Sequence, residues 1–142
     1  MKYFKIYILL FIILITNTKL FAQYELKFKR YNEKQGLEDS WIHSVTQDTI
    51  GYIWVGAGYG LFKFDSNNFT GYFNNQKDSN SISDNFIKFV FCDSNGKLWI
   101  GHRKGFSLYN PEKDNFNNFH FDFYTNFIRE DKTGIFWIST NY

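Results

Sequence analysis

The sequence predicts an all-β fold assembled from repeated four-stranded antiparallel units, and three observations predict it. The first is a recurring segment. Asp48-Thr-Ile-Gly51-Tyr-Ile-Trp54-Val-Gly56 returns as Asp93-Ser-Asn-Gly96-Lys-Leu-Trp99-Ile-Gly101 and begins again at Asp131-Lys-Thr-Gly134-Ile-Phe-Trp137. The tryptophans are 45 and then 38 residues apart, a period that marks a repeat architecture. The second is composition: 23% of residues are aromatic and only one is Pro, which suits strands and is unlike a disordered chain. The third is the Asp-x-x-Gly turn that opens each copy. Asp bonds its own backbone two residues on, and Gly accepts positive φ.

Residues 1–22 read as a secretory leader. Lys2 and Lys5 give the positive start, Tyr7–Ile15 is an uninterrupted apolar run, and Leu20-Phe21-Ala22 offers a cleavage point before Gln23. The run is too short to span a membrane, which takes about 20 residues, and no Cys near the cut points to a lipoprotein. The 142-residue chain carries a formal charge of +2, and removing Lys2, Lys5 and Lys19 with the leader takes it to −1. The basic balance belongs to the leader, so nothing supports nucleic-acid binding. One cysteine, Cys92 in the apolar run Phe89–Cys92, excludes an intrachain disulfide framework and reads as a buried, inert thiol.

Tyr24–Tyr31 alternates apolar and polar residues and reads as an opening strand that would complete the last unit of a closed ring. The first unit covers about 40–73. It comprises Trp41–Gln47, the turn at Asp48, Tyr52–Val55, a glycine-flanked connection from Gly56 to Gly60, Leu61–Asp65, a turn at Ser66-Asn67-Asn68, and Phe69–Phe73. A polar link, Asn74–Asn85, leads to the second unit at about 86–121, where Gly105 repeats the role of Gly60. The third begins at 124 and reaches Tyr142 soon after its tryptophan strand. Four short strands in roughly 35–45 residues are the size of one β-propeller blade. A large aromatic at a fixed place in each blade is expected to fill the space between neighbouring blades.

These segments carry a family resemblance. D-x-x-G-x-(I/L/F)-W-(I/V)-G, followed by Gly60-Leu61-Phe62-Lys63-Phe64-Asp65 or Gly105-Phe106-Ser107-Leu108-Tyr109-Asn110, resembles the two-component regulator propeller repeat. Tyr31–Ser40 resembles the family's opening sequence, and Ser79–Asn85 its inter-blade link, with Ile82 for the usual Leu. The copies depart from the family's Gly-Thr as Gly56-Ala57, Gly101-His102 and Ser139-Thr140. No Trp-Asp pair of the WD40 kind is present, and Gly falls one residue later than in sialidase-type Asp boxes. The resemblance implies the periplasmic or secreted ligand-sensing region of a hybrid two-component sensor. It implies further blades of the same propeller, a membrane helix, a histidine kinase, a receiver and a DNA-binding domain downstream. It also implies a dimer in the full-length form, and an oligosaccharide or other small ligand, often a polysaccharide breakdown product.

A propeller closes with roughly four to eight blades, and these residues supply about two and a half. The chain is therefore expected to be the N-terminal fragment of a longer sensor. A secreted propeller enzyme of the lyase or glycosidase kind, a carbohydrate-binding propeller and a remnant of a broken gene are the alternative readings.

The sequence assigns no catalytic residue, metal ligand or cofactor. His43, His102 and His120 show no metal-ligand spacing. Asp93-x-Asn95-Gly96 hints at a calcium loop, but Lys104 stands where a Glu is needed. Glu38-Asp39 and Glu130-Asp131 read as solvated edges and turns. The loops after the Trp strands differ between copies on a constant scaffold, which is where binding specificity is expected. Tyr59 in the first, and His102, Arg103 and Lys104 in the second, are the ligand-binding candidates, against the plainer reading of ordinary solvated loops.

Overall fold

Among the described residues, ten strands follow one another without a helical crossover because each short apolar run is closed by an Asp, Asn or Gly turn rather than a capped helix. The computed structural model describes Tyr3, Tyr7 and residues 25–141. The leader expected over 1–22 lies, apart from those two tyrosines, outside the described residues.

The first sheet has the order β1 (Ile42–Gln47), β2 (Ile53–Ala57), β3 (Gly60–Phe64) and β4 (Phe69–Tyr72). The second repeats it with β5 (Ile87–Cys92), β6 (Leu98–His102), β7 (Gly105–Asn110) and β8 (Asn115–His120). β9 (Tyr124–Glu130) and β10 (Phe136–Asn141) form a two-stranded third sheet. Every pairing is antiparallel. The sheets are successive blades. β1 packs beside β5 and β5 beside β9, so the first strand of each blade lies innermost.

Of the opening strand expected over 24–31, residues 25–31 belong to no sheet among the described residues, and the last blade it was expected to complete is not among them. A strand needs a ladder partner for its N–H and C=O groups, and no described strand offers one there. The next residues instead make a 3-10 turn, Glu33–Gln35, closed by a capping box between Asn32 and Gln35 and by Gly36 at φ 87°. This segment covers blade one's outer flank. The Tyr31 ring meets Phe64 edge-on at 4.8 Å, and Leu37 joins the cluster of Val55, Ala57 and Phe62.

The main core lies between blades one and two. Trp54, Leu61, Ile82, Ile87, Val90, Leu98, Ile100 and Phe116 form one buried cluster. Ile82 belongs to the link, so the 74–85 connection supplies core as well as reach. A smaller cluster, Phe89, Phe106 and Ile128, joins blade two to β9. Gly56 lets the blades close: a Cβ there would stand 2.7 Å from Ile87 Cγ2. Cys92 is half-buried rather than buried, its thiol raised by burial and by the neighbouring Asp93 charge.

Candidate ligand-binding face

Each repeat is held by one carboxylate that does two jobs. Asp48 Oδ1 accepts from the backbone N–H groups of Ile50, Gly51 and Tyr52, while Oδ2 accepts from Trp54 Nε1 at 2.7 Å. Asp93 accepts from Asn95 N, Lys97 N and Trp99 Nε1 at 2.9 Å, and Asp131 from Thr133 N, Ile135 N and Trp137 Nε1 at 2.9 Å. The turn glycines Gly51, Gly96 and Gly134 all have positive φ, at 107°, 78° and 84°. Hydrogen bonds from the Thr133 hydroxyl, the Trp137 indole and the backbone hold the Asp131 carboxyl well below the usual carboxylate range.

The Asp-to-Trp bond is what sequence reading missed. It treated Asp as a turn former and Trp as a space filler. The constant six-residue separation across all three copies was the available signal.

Tryptophan burial follows the next blade. Trp54 is fully buried, with Tyr72 stacked at 5.6 Å and Tyr109 of blade two at 4.7 Å. Trp99 is half-buried beside Phe136 of the third sheet at 5.8 Å. Trp137 is 65% exposed.

A polar cluster locks the outer seam between blades one and two. The hydroxyls of Tyr72 and Tyr109 donate to Asp114 Oδ1 at 2.7 and 2.6 Å, and Lys63 Nζ donates to the same oxygen at 3.4 Å and to Tyr109 Oη at 3.3 Å. Lys63 also lies 5.4–5.6 Å from the ring centres of Tyr52, Trp54, Tyr72 and Tyr109. Burial pulls the Lys63 ammonium down, but Tyr109 and Asp114 outweigh it and hold it above its ordinary value. Burial likewise works to raise the Asp114 carboxyl, and its three donors bring it below the ordinary value. Asp114→Ala removes the common acceptor. It is expected to cost about 1–2 kcal/mol, since the carboxylate is partly solvent-screened, and a urea denaturation midpoint checks it.

The turns at Asp48 and Asp93 share one end of the blades. The connections Ala57–Gly60 and His102–Gly105 lie at the other, with the starts of β1 and β5. The four candidate residues separate there. Tyr59 is 67% exposed, with its N–H donating to Asp39 Oδ2 at 2.6 Å. Asp39 also accepts from Trp41 N at 2.8 Å, so this carboxylate has a structural task. Arg103 is exposed, its guanidinium 3.8 Å from the centre of the Phe86 ring. Lys104 is exposed and donates from Nζ to Ser83 O at 3.1 Å.

His102 is not a loop residue. It ends β6, is fully buried and cannot meet a ligand in this conformation. Its Nδ1 accepts from Lys104 N at 3.2 Å, which places its proton on Nε2, 3.0 Å from Ser83 Oγ and 2.9 Å from Ser107 Oγ. Ser107 passes its own proton to Asn118 Oδ1 at 2.5 Å. The paired strands fix this outcome: His102 faces Ile87 in the ladder, where blade one has Ala57 facing Ile42.

Residues 81–104, from the link through the tryptophan strand of blade two, match the two-component regulator propeller family. That stretch is similar to one two-component regulator propeller repeat. The same chain is 46% identical over 56 residues to histidine kinase P4 of Formosa agariphila, covering 39% of this chain and 4% of that protein. Its fold is similar to the extracellular domain of the hybrid two-component system BT3049 from B. thetaiotaomicron, with TM-score 0.69 and 25% identity. That likeness covers 78% of this chain and 17% of the other. The extracellular domain of BT4673 from the same organism gives TM-score 0.63 and 26% identity, over 79% of this chain and 18% of that one. The chain thus spans under a fifth of the length of these relatives.

In the repeat as it stands here, the Asp, Gly and Trp positions are structural. Asp48, Gly51 and Trp54, with their counterparts in later copies, build the turn and the blade seam. Among the described residues, no group of three or more His, Cys, Asp or Glu side chains is placed to hold a metal ion.

Proposed function

We propose that the chain is the N-terminal part of the ligand-sensing propeller of a hybrid two-component sensor, exported by its leader to the periplasm and reading carbohydrate-derived ligands. The observation that carries this reading is the joint likeness to a histidine kinase and to extracellular domains of two-component systems. The remaining blades, the membrane helix and the kinase belong to the downstream part of the protein, and phosphotransfer is assigned there. Ligand binding acts by favouring one arrangement of a dimer over another across the membrane, by as much as the ligand's affinities for the two differ.

Mature-protein mass and reading-frame analysis through the codon for Tyr142 test the proposal. Further blades followed by a membrane span and a kinase are expected. A continuation into a secreted chain without a span would replace the sensor reading with that of a propeller enzyme or lectin. A stop codon directly after Tyr142 would remove the signalling role from this chain.

A further inference from the structure

The innermost strands of neighbouring blades meet along their ladder edges, and the two seams close that edge differently. In β5 the Val90 peptide groups point away from β6. Val90 N–H donates to Ser44 Oγ at 3.1 Å, and the same hydroxyl donates to Val90 O at 3.4 Å. His43 Nδ1 donates to Ile87 O at 2.7 Å. Two polar side chains of β1 thus close the inner edge of β5. The register repeats in β9, where Ile128 faces Ile138 as Val90 faces Ile100, so the Ile128 N–H and C=O also turn inward. The closing residues have changed, however. Phe89 and the bulged Lys88 stand where β1 has Ser44 and the bulged His43. Phe89 meets Ile128 with an apolar ring, so no hydroxyl closes the Ile128 peptide as Ser44 closes that of Val90. Ile128 is 5% exposed, and a buried peptide group left without a partner is costly.

This open edge borders a cavity of about 480 Å³ lined by all three inner strands. Lys88, Asn126 and Arg129 contribute to its polar wall, and none of the lining residues is an acid. Glu130, next to Arg129, is turned to the Ser94 N–H and hydroxyl, both at 2.7 Å. Asp39 and Asp84 accept from backbone N–H groups of Trp41, Tyr59 and Phe86. The one ion pair among the described residues is Lys63–Asp114, so neither Lys88 nor Arg129 has a carboxylate in contact.

We infer that this cavity binds inorganic phosphate, seated on the Ile128 peptide and Arg129. The Ile128 N–H needs an acceptor and its C=O needs a donor. A phosphate that keeps one P–OH offers both, as the single Ser44 hydroxyl does for Val90. The guanidinium of Arg129 matches two further phosphate oxygens, and Lys88 adds a second positive charge. Sulfate has the same shape and no proton to give to the carbonyl. The site is separate from the carbohydrate reading above and stands or falls without it.

Amide chemical shifts of the nitrogen-labelled full chain test it, in titrations with inorganic phosphate and with sulfate at matched pH and ionic strength. A saturating downfield shift of the Ile128 amide with phosphate is the expected result, with affinity about tenfold weaker for sulfate and about tenfold weaker for phosphate in Arg129→Gln. Arg129 is exposed, and equal thermal midpoints without added anion separate loss of binding from loss of fold. No saturating shift at Ile128, or an unchanged phosphate affinity in Arg129→Gln, would overturn the site. Equal affinities for the two anions would overturn the role given to the phosphate proton.

Discussion

Trp54→Ala is expected to cost about 3–5 kcal/mol, the range for removing a large aromatic from a packed core, and Trp137→Ala well under 1 kcal/mol. The two residues have the same place in the repeat and the same carboxylate on the indole nitrogen. What separates them is the neighbour. Trp54 lies between Tyr72 and Tyr109 with no solvent exposure, so truncation leaves a cavity and also strands one acceptor of Asp48. Trp137 has a solvated face, so its removal opens no void. Urea midpoints measured on the two variants check the contrast. Equal losses would mean that the Asp bond, rather than blade packing, carries the energy.

Acidification from about pH 6.5 to 4 is expected to destabilise the chain by about 3 kcal/mol through His102 alone. Burial pushes this imidazole down to about 4, against 6.5 in the unfolded chain. Asp84 opposes the shift, while His120 and Lys104 add to it. A depressed histidine favours the neutral folded form. The stability is therefore full above the unfolded value, falls as the unfolded chain takes up the proton, and levels off below about 4. Protonation of the folded form at Nδ1 would displace the Lys104 N–H that now donates there. Asp114 extends the loss below its ordinary carboxylate range, because its folded value is lowered. His102→Gln should be less stable at pH 7 and lose most of the pH 6.5–4 dependence, as read by thermal midpoints across that window.

Period, turn residues and strand order were legible because they depend on local chemistry repeated three times. The predicted blades at 40–73, 86–121 and from 124 contain β1–β4, β5–β8 and β9–β10 respectively. The inter-blade place of the tryptophan was legible as well, and it holds for Trp54 and Trp99, whose rings meet the next blade. Other features depend on pairing that a single strand does not encode. The bulges at His43, Lys88 and Asn126 arise from a one-residue offset between partners, so Trp41–Gln47 read as plain strand. His102 read as a loop residue because it follows Gly101, whereas the ladder to Ile87 continues one residue further and carries it inside. Tyr24–Tyr31 has the alternation of a strand, and alternation does not supply a partner.

The account stands on each repeat tryptophan being clamped by its own aspartate, and on Trp54 and Trp99 being covered by the following blade. Hydroxyl-radical footprinting of the intact chain, read by mass spectrometry at each indole, measures that cover directly. Trp54 should react slowest, Trp99 at an intermediate rate, and Trp137 about as fast as the exposed Trp41. Oxidation of Trp54 at the rate of Trp41 would contradict the packing of the repeats as consecutive blades.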